Sequence, residues 1–232
     1  MTASLENWSP PVLPPRRSIA GRFATLEPLS PDHVEGLRDA HLEDEAGAMW
    51  AYLPVGPFDQ AGYAAWVERN RILHDPLHFA VRMRDGRLGG TLSLMRMKPD
   101  AGSIETGWLT FAPRLQRTPE STEAVYLLMK WAFEVGYRRF EWKCDAGNRA
   151  SRRAAERFGL SYEGIFRQAS VVKGRNRDTA WFAAIDSEWP RLQAAFEAWL
   201  APENFDADGQ QKQALSDLTR PILVAKDPLT DS

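Results

Sequence analysis

Between Thr118 and Gly136 the residue pattern admits one local structure. Ala124, Leu127, Leu128, Trp131, Ala132 and Val135 recur at intervals of three and four, so they share one face of a helix, and that face must be buried. Thr118 is a favourable N-cap, Pro119 a favourable first helical residue, and Gly136 a stop. On either side, SIETGWLTFA (103–112) and RRFEWKCDA (138–146) read as strands. The first alternates imperfectly, and Gly107 within it marks a bulge or a close backbone approach.

The remaining elements arrange themselves around this frame. SPPVLPPRR (9–17) is an extended arm, because proline removes backbone donors and favours polyproline geometry. A strand over Arg22–Glu27 follows, and Ser30 caps a helix from Pro31 to about His41. MWAYLPVGPF (49–58) is a loop presenting rings, and Asp59 caps a helix in which Tyr63, Trp66, Val67 and Asn70 share a face. HFAVRMRDGRLGGTLSLMRM (78–97) is two strands joined at Asp85-Gly86. After 138–146, Asn148 caps the short helix ASRRAAERF, which Gly159 ends. Two strands, Tyr162–Val172 and Arg177–Asp186, meet at the turn 173–176, and a helix over Glu188–Leu200 closes the patterned region. Strands outnumber strict alternation, so the expected class is α/β (α+β), with a mixed sheet flanked by helices. The expected organisation is a proline-rich arm (1–19), a single domain (20–200) and a polar tail (201–232).

Composition excludes several functions. An apolar fraction of 44% supports a substantial core. A net charge of −2, from 29 basic and 31 acidic residues, argues against broad attraction to nucleic acid. No apolar run approaches the ~18 residues of a membrane span. The N-terminus lacks the apolar centre of a signal peptide. Cys144 is the single cysteine, which leaves no intramolecular disulfide and points to a buried structural thiol in a reduced, cytoplasmic protein. His74 and His78 are four apart, but Pro76 between them opposes the helix that would align them on a metal, so no metal is expected.

Three segments point to chemistry together. Gln116, Pro119 and Ser121 can be set against Q/R-x-x-G-x-G/A. NRASRRAAERFGLSYEG (148–164) is similar to N-x-x-S…GF-x-x-EG, and STEAVYLLMKWAFEVGYRR (121–139) to TEA…AFE-x-GYRR. The combination resembles the Gcn5-related N-acetyltransferases (GNAT) over roughly residues 20–190, most of all the branch of ribosomal-protein alanine acetyltransferases (RimJ/RimL-like). The resemblance implies a mostly antiparallel sheet of about seven strands, acetyl-CoA as co-substrate, and a primary amine of a peptide or small molecule as acceptor. It also implies that the pyrophosphate of coenzyme A meets the helix start, where unpaired N–H groups and the helix dipole favour an anion. The cofactor-binding positions that follow are Trp108, Leu109, Arg114, Gln116, Arg117, Thr118, Ser121, Thr122 and Asn148. The chain departs from the motif where Pro119, which has no N–H, replaces the first loop glycine.

The acceptor amine must be neutral to attack a thioester. An α-amino group is roughly a tenth neutral at pH 7, and a lysine about once in a few thousand, so a base is useful for the first and close to necessary for the second. The resemblance places that base at Glu105, the thioester carbonyl on amides of Gly107–Leu109, and the acid that protonates the departing thiolate at Ser151. Many relatives carry a tyrosine as acid at the position of Ala155. Glu105 can equally be read as a surface strand residue, Ser151 as a serine bonded back to a helix carbonyl, and Asn148 as a plain N-cap. The ring-bearing loop 49–58 either walls the acceptor pocket or packs as core, and KGRNRD (173–178) is either a solvated turn or a recognition element. Two functions stay open, an acetyltransferase and a non-catalytic acyl-CoA-binding or sensory module. A homodimer is compatible with both.

Overall fold

The computed structural model describes residues 5–229. Its strands, β1 (Ile19–Ala20), β2 (Ala24–Pro28), β3 (Leu77–Met83), β4 (Leu88–Lys98), β5 (Ser103–Phe111), β6 (Arg139–Asp145), β7 (Ser161–Val172) and β8 (Arg175–Ile185), form one sheet in the order β1-β2-β3-β4-β5-β6-β8-β7. Every neighbouring pair is antiparallel except β5 and β6. The helices are α1 (Val34–His41), α2 (Gln60–Asn70), α3 (Pro119–Glu134), α4 (Arg149–Arg157), α5 (Trp189–Leu200) and the short α6 (Leu215–Thr219).

Strand alternation assigns the two faces. Phe79 and Val81 of β3 join the large core under α3, α4 and α5, while Ala80 between them joins the smaller core under α1 and α2. The α3 face foreseen from periodicity is buried over Ala124, Leu127, Leu128 and Ala132; Trp131 and Val135 are partly buried against the same core.

The last hairpin is tighter than expected, with β8 starting at Arg175 rather than Arg177, and the start of the sheet differs for an identifiable reason. The first long strand begins at Ala24 rather than Arg22, and the sheet gains the short β1. The amides of Arg22, Phe23 and Ala24 donate to the buried Glu123 carboxylate of α3 at 2.8, 2.6 and 2.8 Å, so the turn between β1 and β2 is gripped by a side chain instead of a ladder. Gly21 is obligatory there, since a Cβ would stand 2.4 Å from Glu123 Oε2.

The residues after Pro202, polar in composition, fold back on the helices. Leu215 and Ile222 enter the large core, and Asp227, fully buried, accepts from Nε and Nη2 of the equally buried Arg152 of α4. At the other end Trp8 donates its indole N–H to Gly136 O at 3.4 Å, and Arg16 donates to the carbonyls of Arg71 and Leu73, so the arm lies along the domain. Replacing Asp227 with Asn leaves the Arg152 guanidinium buried without a counter-charge, which costs about 3–5 kcal/mol. Urea unfolding of Asp227→Asn should show a midpoint lowered to match, and a midpoint within error of wild type would mean that the arginine is not held by this pair.

Candidate active site

The site begins where the one parallel pair of the sheet comes apart. β5 and β6 are paired from Ser103–Arg139 to Thr106–Trp142, yet β5 continues to Phe111 and β6 to Asp145, the latter still paired with β8. Beyond Thr106 the β6-facing edge of β5 therefore has no strand partner among the described residues. A bulge lies at the same place. Thr91 pairs with Thr110 and Ser93 with Gly107, so Trp108 and Leu109 together oppose Leu92. Trp108 is left-handed, with φ 52°, and its ring meets those of His78 at 5.9 Å and Trp66 at 6.4 Å. Leu109 packs against the large core. Both readings of Gly107 hold: the bulge follows it, and a Cβ would stand 2.5 Å from Met95 Sδ.

Glu105 and Ser151 flank this opening on opposite faces. Glu105 bonds to Lys143 and Ser151 to Trp142, neighbours on β6 whose side chains alternate across the sheet. The Glu105 carboxylate is buried, with Arg96 Nη1 at 2.7 and 2.8 Å from its two oxygens and Lys143 Nζ at 2.7 Å from Oε2. Lys143 also contacts Glu141 at 2.8 Å and lies 3.7 Å from the centre of the Trp181 ring. Arg139 extends the row by bridging Glu141 and Glu163, and the contacts of Glu141 with Arg139 and Lys143 outweigh its burial and hold its carboxyl below the usual range. Glu105 is thus not a surface strand residue; it is the buried node of a charge row.

On the other face Ser151 Oγ accepts the Trp142 indole N–H at 3.0 Å, which leaves the hydroxyl proton to be donated elsewhere. Asn148 Oδ1 accepts the Ser151 amide at 3.0 Å, so the N-cap role is real. Ala155 is buried and carries no acid. Cys144 is buried beside Ser151, and that burial pushes its thiol up to about 11, consistent with an inert side chain.

The loop before α3 binds mostly to its own surroundings. Arg114, expected to face phosphate, donates to Glu43 at 2.7 Å and Asp39 at 2.8 Å, and its amide also goes to Glu43. It clamps the loop to the end of α1, because two carboxylates there outcompete solvent for the guanidinium. Gln116 donates to Phe111 O, and Arg117 is exposed with φ 62°. Thr118 Oγ1 accepts the Ser121 amide, Thr118 O accepts both the Ser121 hydroxyl and the Thr122 amide, and Thr122 Oγ1 accepts from Arg157 at 3.0 Å. Pro119 lacks an N–H, and Thr118 takes the Ser121 and Thr122 amides, so this helix end offers an anion fewer amides than a glycine-containing loop would.

The ring-bearing loop lies beside this opening. Tyr52 donates to Gly147 O ahead of α4, and Trp50 O accepts from Lys173 of the β7–β8 turn. Behind it is a cavity of about 430 Å³ walled by His41, Trp50, Phe58 and Tyr63, with Asp44, Glu45 and Asp59 in its lining. His41 meets the Trp50 and Tyr63 rings edge-on at 5.1 and 5.0 Å.

Residues 24–161 match the sequence model of the acetyltransferase (GNAT) domain. The chain belongs to the GNAT acetyltransferase family. A GCN5-related N-acetyltransferase of Brucella melitensis is 46% identical over 93% of this chain and all of its own, with a TM-score of 0.90. A probable GNAT acetyltransferase of Chromobacterium violaceum is 40% identical over 82% of this chain and 96% of its own, with a TM-score of 0.76. RimL, a ribosomal L7/L12 alpha-N-protein acetyltransferase, is 25% identical over 75% of this chain and 99% of its own, with a TM-score of 0.63. No curated protein matches. Eight strands replace the expected seven in this GNAT sheet, and no helix among the described residues is long and apolar enough to cross a membrane.

Sequence reasoning missed Lys143 and Arg96, which a register across three strands brings to Glu105, and undervalued His78. That histidine is fully buried between Trp66 and Trp108, and neither ring nitrogen has a hydrogen-bond partner. Burial, aided by the Arg16 charge, pulls its imidazolium down to about 4 from the ordinary 6.5. The unfolded chain therefore takes up this proton first, so the contribution of His78 is complete above pH 6.5 and is lost as pH falls toward 4. The loss amounts to about 3 kcal/mol. Urea unfolding between pH 4 and 7 should show a flatter stability profile for His78→Phe than for wild type; parallel profiles would mean that His78 takes up its proton without cost to the fold.

Proposed function

We propose that this GNAT protein moves an acetyl group from acetyl-CoA directly to a primary amine in a ternary complex. The observation that carries the reading is the parting of β5 and β6 after Thr106 and Trp142, with Glu105 on one face and Ser151 on the other. A thioester seated in the opening meets β5 backbone at its bulge, where the ladder is interrupted, and a developing oxyanion needs such donors. An amine arriving on the Glu105 face finds a carboxylate, and a thiolate leaving toward α4 finds a hydroxyl. Asn148, the N-cap of α4, is the residue we assign to the pantetheine arm. The cytoplasm, where Cys144 stays reduced, suits this activity.

The acceptor reading rests on the aromatic cavity. Rings exclude water and attract a cation, and Asp44, Glu45 and Asp59 outnumber the one arginine of the lining, Arg38, so an ammonium group is the suited guest. The likeness to RimL supports a peptide N-terminus as the acceptor, in keeping with the RimJ/RimL-like branch. An α-amino group also asks least of a base.

A second reading, acyl-CoA binding without turnover, is favoured by one observation: both Glu105 oxygens are already engaged by cations. Release of free thiol from acetyl-CoA, followed across a panel of peptides and small amines, separates the two. Turnover supports the transferase, and binding without turnover on any amine supports the second reading. For the transferase, Glu105→Gln should lower kcat/KM by about 10²–10⁴-fold, with the deficit largest at low pH, where the amine is least neutral. An unchanged pH profile would remove Glu105 as the base. Ser151→Ala should lower kcat more than it raises KM, and an equal effect on both would show that the hydroxyl does not act on the leaving thiolate.

A further inference from the structure

The cavity behind the ring-bearing loop is built more closely than an ammonium of any kind would need. His41, Trp50, Phe58 and Tyr63 close a circuit in which each ring meets the next, with centroids 5.1, 5.5, 5.9 and 5.0 Å apart. Gly56 lets the circuit close, since at its φ of 69° a Cβ would stand 2.4 Å from the Trp50 ring. The Tyr63 side chain is almost wholly buried, yet its hydroxyl has no hydrogen-bond partner among the described residues, and neither has His41 Nε2. A buried hydroxyl without a partner costs the fold free energy that a phenyl ring of the same shape does not. Burial pulls the His41 imidazolium down to about 4, although Asp44 opposes the shift, so the ring is neutral at neutral pH. A tyrosine oxygen accepts a hydrogen bond, and so does one nitrogen of a neutral imidazole. Asp44 and Asp59 each commit one oxygen to a backbone amide, of Met49 and Gly62, and Glu45 is exposed beside them. The arrangement asks for a guest that carries positive charge, has N–H groups to give and lies against aromatic faces.

That guest is not the amine that reacts. The reacting amine must reach the thioester at the β5 bulge, and no residue of β5 or of the Glu105 charge row lines the cavity. Two ring-to-ring steps lie between the places: Tyr63 stacks on Trp66 at 5.7 Å, and Trp66 meets Trp108 of the bulge at 6.4 Å. Two or three extended residues, at about 3.5 Å each, cover such a span. We propose that the cavity is a specificity subsite for a second ammonium group of the acceptor, selected by Tyr63 and His41. The peptide that fits carries lysine at its second or third residue, with its α-amino group at Glu105 and its side-chain ammonium against the four rings. A small diamine of the same span offers the same chemistry. The link to an acceptor rests on the transferase reading above; the binding of an ammonium in the cavity does not.

Acetylation kinetics of the full chain test this with matched peptides bearing lysine or norleucine at the second or third residue, and with a diamine and the monoamine of equal length. Norleucine removes the ammonium and keeps the stem. Wild type should prefer the lysine peptide by about 10- to 100-fold in kcat/KM, the scale of an aromatic contact with one or two charge-assisted hydrogen bonds. Tyr63→Phe should shrink that ratio by about 3- to 10-fold, through KM rather than kcat, and Glu45→Gln should shrink it as well. The urea midpoint of Tyr63→Phe should be no lower than that of wild type, because the lost hydroxyl has no partner in the fold; a clear drop would overturn the role given to Tyr63. A preference shown by the diamine pair alone supports the subsite and assigns it to small amines. Equal rates within every pair overturn the proposal and leave the transferase reading intact. Isothermal titration with the N-acetylated lysine peptide, which keeps the second ammonium and has no reacting amine, reads the cavity without turnover. If no amine is acetylated but this peptide binds wild type more tightly than it binds Tyr63→Phe, the subsite stands and the transferase reading falls. With neither turnover nor binding, both fall.

Discussion

A parallel strand pair in an otherwise antiparallel sheet is the constraint on which this molecule turns. Antiparallel neighbours can be joined by a tight turn, but β5 and β6 point the same way and need a crossover, which α3 supplies. The crossover brings the start of α3 to the end of β5 and the start of α4 to the end of β6. When the two strands separate, both helix N-termini and two lengths of unpaired strand edge meet at one place. A ligand crevice at the carboxyl ends of parallel strands is the general outcome of this topology. Here it is sharpened by the bulge at Trp108–Leu109, which interrupts regular pairing on the other side of β5 as well.

Around that opening, charge is spent on position before it is available for chemistry. Glu123 ties α3 to the β1–β2 turn through three amides, and Arg114 ties the preceding loop to α1 through two carboxylates. The row from Arg96 through Glu105, Lys143 and Glu141 to Arg139 is continuous across three strands, so its members set each other's rotamers. Buried networks of this kind are stiff when fully satisfied, and stiffness is what a reacting geometry requires. The same commitment is why Glu105 invites two readings: a carboxylate fixed by two cations is well placed and already occupied.

What could be read in the sequence was local, and what could not was set by register. The α3 face was legible because six apolar residues repeat at helical spacing, and the bulge was legible because a glycine interrupts a strand. Thr118, Asn148 and Asp59 were legible as caps because capping needs a contact only three residues on. The partners of Glu105 were not, since Lys143 reaches it through the parallel register of β5 and β6 and Arg96 through a shifted one with β4. Nor did any local signal show that Glu123, inside a recognisable TEA segment, serves amides a hundred residues earlier. The segment after Pro202 read as a polar tail because Leu215 and Ile222 are too sparse to make a period; the buried ion pair that helps to hold it to α4 has no local signal.

That anchor joins stability to the site. Asp227 pulls the chain against Arg152, and this places Lys226 beside Arg153 and Arg157 on the neighbouring turns of the same helix. Arg153, Arg157 and Arg220 line this junction with Lys226, and Glu156 is the carboxylate among them. Any ligand bound only by the docked form stabilises docking by the free energy of its own binding. Arg157 joins α3 and α5 by touching Thr122 on one side and the Trp199 ring on the other, and its carbonyl accepts the Thr219 hydroxyl of the segment.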